Sequence, residues 1–391
     1  MKRSLLTLVL PLCLCVGIQT PLAEPSVEID DMATITEGID NNVESQLKKA
    51  KDLKKFVLEE CGDADLAKLC AMFLNMEELQ IIDAENIKNL APLAGLKQLQ
   101  SLNLDCAASD LSPLAGLTNL TTLNVEAAMT DLSWMHKLVH LTTITVSGEK
   151  LTSLAGLPTI PDFERIVFLG GAPKDLTPLV KAFPNLKAIT LSNMSLPDLS
   201  PLGKLSQLEE LDLNSSKVKD YSPLAACANL TKLCFYGNEG ADISTLGKLT
   251  QVSVLEGGLT GLSDISWISN LPNLKSFSMF SEPIADYSPL AKTRLETLSL
   301  WKMTKCGPVD LTPVGKITTL TELQLDEMEV THFEALAALT NLQLIKVVDT
   351  KGAGDLAAIK KLPHLKKVVV DEECPEASLA GFGKNVTILR D

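Results

Sequence analysis

The stretch LEELDLNSSKVKDYSPL, residues 208–224, decides how the chain is read. Leucines at 208, 211 and 213 keep the spacing Leu-x-x-Leu-x-Leu, and an Asp-x-Ser-Pro-Leu turn closes the unit. The same text recurs along the chain. The first apolar residue of each copy falls at fourteen registers from Met76 to Leu365; four consecutive steps, Leu186 to Leu274, are 22 residues each, and the others run from 21 to 25. Self-similarity at a period of this size is the signature of a repeat array whose units bury their apolar faces against their neighbours. The turn text keeps phase, as DLSPL at 110–114, DLTPL at 175–179, DLSPL at 198–202, DYSPL at 220–224 and 286–290, and DLTPV at 310–314. An Asp or Ser ahead of a Pro accepts free backbone N–H groups, and Pro presets the first helical φ. Each unit is therefore expected to be a short strand, a turn and a short helix or 3₁₀ segment.

These motifs resemble the leucine-rich repeat superfamily, and within it the bacterial internalin-like class of 22-residue repeats. The resemblance covers residues 76–370, about 13–14 repeats. It implies an α/β solenoid: a horseshoe with a concave parallel sheet and short helices or 3₁₀ turns on the convex side. At one position the chain departs from the class. The Asn that ladders neighbouring turns is replaced by Ala107, Ala128, Glu149, Gly171, Met194, Ser216, Thr260, Glu282, Met303, Met328 and Thr350, and only Asn238 fits. Buried backbone groups still require partners, so the turns are expected to close less regularly. Gly257, at a core strand position, is expected to mark a weak spot or kink.

The ends need caps, because an open solenoid exposes its core. Residues 24–39, acidic and poorly patterned, read as a linker. Residues 40–75 read as a helical N-terminal cap, with helical spacing from Asn41 to Cys61 and a second helix capped by Asp63 or Asp65. Residues 371–391 read as a C-terminal cap. Before all of these, MKRSLLTLVLPLCLCVGIQTPLA, residues 1–23, reads as a secretory signal: Lys2 and Arg3, then an apolar run from Leu5 to Val16 too short to span a bilayer. The chain is thus expected to be exported, to the periplasm or to the cell surface and medium, with no membrane span.

Composition bounds the chemistry. Hydrophobic residues make up 46% and aromatics only 4%, so the core is aliphatic. The net charge is −14; loss of the signal removes Lys2 and Arg3 and leaves 33 basic against 49 acidic residues, or −16. Such a chain is repelled by nucleic-acid phosphate and by anionic membrane surfaces. Nine cysteines less Cys13 and Cys15 leave seven, an odd number. Cys61 and Cys70 are close enough in sequence to form one disulfide or to remain buried thiols. No cysteine has metal-ligand spacing, no serine sits in a nucleophile elbow, and no glycine loop suits phosphate. No enzyme, cofactor or metal site is expected.

What remains is the outward phase of the strands. Side chains alternate between faces of a strand, so with Leu298 and Leu300 inward, Thr297, Ser299 and Trp301 point out. The last outward column contains Tyr236, Gly258, Phe280, Trp301 and Asp326 in successive units. Strands about 4.8 Å apart bring Phe280 and Trp301 into contact and leave Tyr236 about 10 Å from Phe280. Ser278, Ser299 and Thr297 edge this aromatic floor, flanked by Glu256, Asp212 and Asp326. Clustered exposed aromatics on a polar face suit a binding hot spot. By contrast, Trp134 and Trp267 occupy the Pro slot of the turn and are expected to be structural. The reading is an exported, non-enzymatic recognition protein that binds a protein or peptide on its concave face. A carbohydrate ligand or a structural envelope role is the alternative.

Overall fold

In the computed structural model of the chain, residues 25–303, 307–354 and 356–391 are described; the expected signal, residues 1–23, and Cys306 lie outside them. The chain opens with a hairpin, β1 (Ser26–Ile29) and β2 (Ala33–Thr36), followed by α1 (Asn41–Leu47), β3 (Lys55–Glu59) and α2 (Asp63–Met72). The repeats then supply β4 (Glu78–Ala84), β5 (Ser101–Cys106), β6 (Thr122–Glu126), β7 (Thr143–Ser147), β8 (Arg165–Leu169) and β9 (Ala188–Ser192). They continue through β10 (Glu210–Asp212), β11 (Lys232–Cys234), β12 (Val254–Gly258), β13 (Ser276–Phe280) and β14 (Thr297–Trp301). The last strands are β15 (Val309–Asp310), β16 (Glu322–Thr331), β17 (Leu344–Lys351), β18 (Lys367–Val370) and β19 (Thr387–Arg390).

From β2 onward each strand of the main sheet pairs in parallel with the next in sequence, except that β14 pairs with β16, while β15 pairs with the far end of β16. The result is an open solenoid, a leucine-rich repeat horseshoe with a concave parallel sheet. Register follows the sequence repeat: Leu211, Leu233, Leu255, Phe277, Leu298 and Leu323 are successive partners, and all are buried. A one-residue slip would turn each of them to solvent, so the apolar period itself fixes the pairing.

The convex turns form as the sequence implies. Ser200–Lys204, Ser222–Ala226 and Ser288–Lys292 are 3₁₀ segments with Pro in the first turn. Asp198, Asp220 and Asp286 accept from the N–H of Ser200, Ser222 and Ser288 at 2.8, 2.7 and 2.8 Å. Those hydrogen bonds from the turn serines hold the Asp220 and Asp286 carboxyls below their ordinary pKa.

The N-terminal expectations need correcting. Residues 26–36 are a hairpin rather than part of a linker, and Ala33, Ile35 and Ile39 are buried. The helix expected from Asn41 to Cys61 ends at Leu47, and Lys55–Glu59 is a strand. The reason lies in the residues: Leu53, Phe56 and Leu58 already form a Leu-x-x-Leu-x-Leu register, 23 residues before Met76, and β3 pairs with β4 on that register. Of the two candidate caps, Asp65 serves α2, accepting from Gly62 N at 3.0 Å and Ile39 N at 2.8 Å. Asp63 instead accepts from the N–H groups of Lys88 and Asn89, both at 2.8 Å, tying α2 to the next unit.

Cys61 and Cys70 are free, buried thiols rather than a disulfide. Cys61 follows a strand and donates to Glu59 O at 3.3 Å, whereas Cys70 is packed on α2. Burial pushes each thiol up to about 12.

Gly257 is not a gap either. The ring of Phe235 fills its place: a Cβ there would meet Phe235 Cζ at 2.2 Å, and β12 keeps full register with β13. The turn ladder persists in other residues. Asn238 accepts from Ser216 N at 2.9 Å and donates to Leu213 O at 2.8 Å. One unit further on, Thr260, and two units on, the fully buried Glu282 continue the position. Glu282 Oε1 accepts from Thr260 N at 2.6 Å and Thr260 Oγ1 at 2.7 Å, and Oε2 accepts from Leu262 N at 2.8 Å. Thr350 donates to Leu325 O at 3.0 Å.

Candidate functional site

Parallel register places Gly258, Phe280, Trp301 and Asp326 side by side across β12, β13, β14 and β16. The inward neighbours Met279 and Leu300 are in the core, so Phe280 and Trp301 are turned outward by strand alternation alone. Their ring centroids lie 5.9 Å apart at 78°, an edge-to-face pair. Such a pair is favourable by about 0.5–1.5 kcal/mol beyond area burial, which fixes both rings without covering them. Trp301 remains 47% exposed. Lys302 Nζ lies 5.9 Å from the Phe280 centroid and 3.0 Å from Glu327 Oε2, so its cation is shared between a ring and a carboxylate.

Tyr236 stands apart. Its N–H donates to Asn214 Oδ1 at 2.8 Å. Burial pushes its phenol pKa up. Between Tyr236 and Phe280, β12 carries no side chain at Gly258, where a Cβ would come within 2.3 Å of Phe280 O. A glycine is required there for β13 to approach.

The remaining expected residues divide into two groups. Ser278 pairs in register with Ser299, and Thr297 lies on the same face of β14; all three are half-buried around the aromatic pair. The carboxylates are already committed. Glu256 is 3.0 Å from Lys232 Nζ and accepts from Cys234 Sγ. Asp326 is buried and pairs with Lys346 at 2.9 Å. Asp212 accepts from Ser192 Oγ at 2.7 Å and Asn214 N at 2.9 Å. On β10, Asp212 lies four strand spacings from Trp301, about 19 Å. It is outside the aromatic patch.

One residue of the patch escaped the sequence reading. Leu259 is 43% exposed and left-handed, with φ 54°, and its N–H donates to Phe280 O at 3.1 Å. The same corner in other units holds Asn193, Ser215, Gly237, Ser281, Lys302, Glu327 and Asp349, all at positive φ. A non-glycine residue there costs roughly 1–2 kcal/mol. Among these left-handed corners Leu259 has the one apolar side chain, beside Phe280.

Trp134 and Trp267 behave as structural residues, 7% and 5% exposed; Trp267 Nε1 donates to Asp264 O at 3.0 Å. Among the described residues, no group of three or more His, Cys, Asp or Glu is arranged to hold a metal ion, and no helix is long and apolar enough to cross a membrane.

Solved structures carry the same architecture. An internalin from Listeria monocytogenes aligns over 86% of this chain and 86% of its own, with TM-score 0.51 and 20% identity. This is the leucine-rich repeat fold. A leucine-rich repeat protein of Leptospira interrogans aligns over 90% of this chain and 92% of its own, with TM-score 0.54 and 15% identity. No protein family and no curated protein matches the leucine-rich repeat chain by sequence.

Proposed function

We propose that the chain is an exported, non-enzymatic recognition protein that binds a protein or peptide partner on its concave face. The observation that carries this reading is Trp301, nearly half exposed while held edge-on by Phe280 and continued by exposed Leu259. Rigid exposed aromatics at the centre of a polar face are the chemistry of binding hot spots. The leucine-rich repeat fold supplies the scaffold but does not by itself give the function. Export rests on residues 1–23, which would be removed, leaving the hairpin at 26–36 as the first part of the solenoid. A glycan platform is less favoured, because the edge-to-face geometry presents an angle rather than two coplanar rings.

The test is affinity capture with the chain lacking residues 1–23, compared with its Trp301→Ala and Phe280→Ala variants. A protein retained by the wild type and lost with both variants supports the reading. Equal capture by all three removes the concave site from the account, and binding on a glycan array that depends on Trp301 replaces the protein ligand by a sugar.

A further inference from the structure

The concave face around Trp301 carries an asymmetry of charge that the fold does not require. On the outward faces of β11 to β14 and β16, and at the corners that follow, each lysine is already matched: Lys232 to Glu256, Lys275 to Glu296, and Lys302 to Glu327. Asp326 is matched from β17 by Lys346. Among the described residues, two carboxylates on these strands have neither an ion-pair nor a hydrogen-bond partner, Glu322 and Glu329; Glu322, exposed at the start of β16, lies in the part of that strand that pairs with β14, and Glu329 lies beyond it. Glu322 is in register with Thr297, while Trp301 is in register with Asp326, four residues further along β16. At about 3.3 Å per residue and about 4.8 Å for one strand spacing, Glu322 and Trp301 are about 14 Å apart. The side chains between them are Thr297, Ser299 and Gln324, half-buried and without hydrogen-bond partners among the described residues.

Resting on the function proposed above, we infer that the partner is an extended peptide segment with an aromatic or large aliphatic residue on Trp301, Phe280 and Leu259 and a lysine or arginine on Glu322. An extended chain also advances about 3.3 Å per residue and alternates its faces, so the two anchors are about four positions apart and point the same way. Ser299 and Gln324 lie where that segment's backbone N–H and C=O groups pass, and offer them hydrogen bonds. Leu259 fits the same account. The turn needs a left-handed residue, and polar ones serve in the equivalent corners; a strained, exposed leucine adds apolar surface next to Phe280 where a ligand side chain would lie. The net charge of −14 favours encounter with a basic segment.

The test begins with a displayed library of random linear peptides selected on the chain lacking residues 1–23. A labelled peptide from the enriched set is then titrated by fluorescence anisotropy against wild type, Trp301→Ala, Leu259→Ser, Glu322→Gln and Glu322→Lys, with folding checked by circular dichroism. The expected enrichment is an aromatic or aliphatic residue and a basic residue about four positions apart. Trp301→Ala should weaken binding about thirtyfold or more. Glu322→Gln should weaken it about threefold at low salt, an effect lost at high salt. Glu322→Lys should prefer the peptide whose basic residue is replaced by Glu. Loss on Trp301→Ala with no response to Glu322→Gln or Glu322→Lys overturns this inference and leaves the proposed function standing. No response to Trp301→Ala overturns both. A library that enriches nothing, or only acidic segments, also overturns the inference.

Discussion

Glu282 offers a sharp quantitative test of how the solenoid is held together. It is 1% exposed and takes the place where this fold carries an asparagine. Its two oxygens accept three hydrogen bonds, from Thr260 N, Thr260 Oγ1 and Leu262 N. Replacement by Ala strands two buried backbone N–H groups, at about 1–3 kcal/mol each, and adds a small cavity. The expected loss is about 3–5 kcal/mol. Glu282→Gln keeps one acceptor oxygen but turns an amide N–H₂ toward a backbone N–H, so about 2–3 kcal/mol should be lost. The assay is urea unfolding followed by circular dichroism and by tryptophan fluorescence. Coincident transitions are required for a single free energy, because repeat arrays can unfold in parts. Two results would refute the reasoning: Glu282→Ala within about 1 kcal/mol of wild type, or Glu282→Gln as stable as wild type. Either would show that the carboxylate is not the acceptor that closes the turns at 260–262.

Other expectations follow from the same structure. Gly257→Ala should destabilise by about 1–3 kcal/mol through overpacking against Phe235, and Phe235→Leu in the same chain should recover part of the loss, measurable as a coupling energy in a double-mutant cycle. Native thiol labelling should be slow at neutral and mildly alkaline pH, because burial holds Cys61 and Cys70 near about 12 and Cys227 near about 11, in the thiol form; rapid modification of Cys61 by iodoacetamide in the folded chain would contradict its burial. Asp110, Asp131, Asp175, Asp220, Asp286 and Asp310 have carboxyl pKa values lowered by hydrogen bonds from the turn Ser or Thr. Each native pKa lies below the unfolded value of about 4, so this stabilisation is present above that pH and fades as pH falls through the native values. The melting temperature should fall below about pH 4, and less so when the turn aspartates are replaced by Asn, which keeps the acceptor without the titration.

The period of leucines made the solenoid legible, because every unit repeats the same spacing and the outward phase follows from strand alternation. That reasoning placed Phe280 beside Trp301 and reached Ser278, Ser299 and Thr297. It failed where tertiary contacts override local text. The run from Asn41 to Cys61 fits a helical period, but Leu53, Phe56 and Leu58 also fit the repeat, and pairing with β4 decides between them. Alternation in MATIT, buried at Ala33 and Ile35, was hidden by the acidic residues around it. Gly257 looked like a defect because the ring filling it belongs to the preceding unit. Leu259 was invisible for another reason: a left-handed corner is a property of backbone geometry, and a leucine does not announce it. The expected flanking acids Glu256, Asp212 and Asp326 are visible in the sequence, but their partners are contributed by other units.

The central claim is that the outward face at Trp301 is where this protein recognises its partner. The direct measurement is the dissociation constant of a captured partner for wild type and for Trp301→Ala, with Trp134→Phe as a control buried in a turn. The account predicts about thirtyfold or greater weakening for Trp301→Ala and unchanged affinity for the control. Equal affinity for wild type and Trp301→Ala would contradict it.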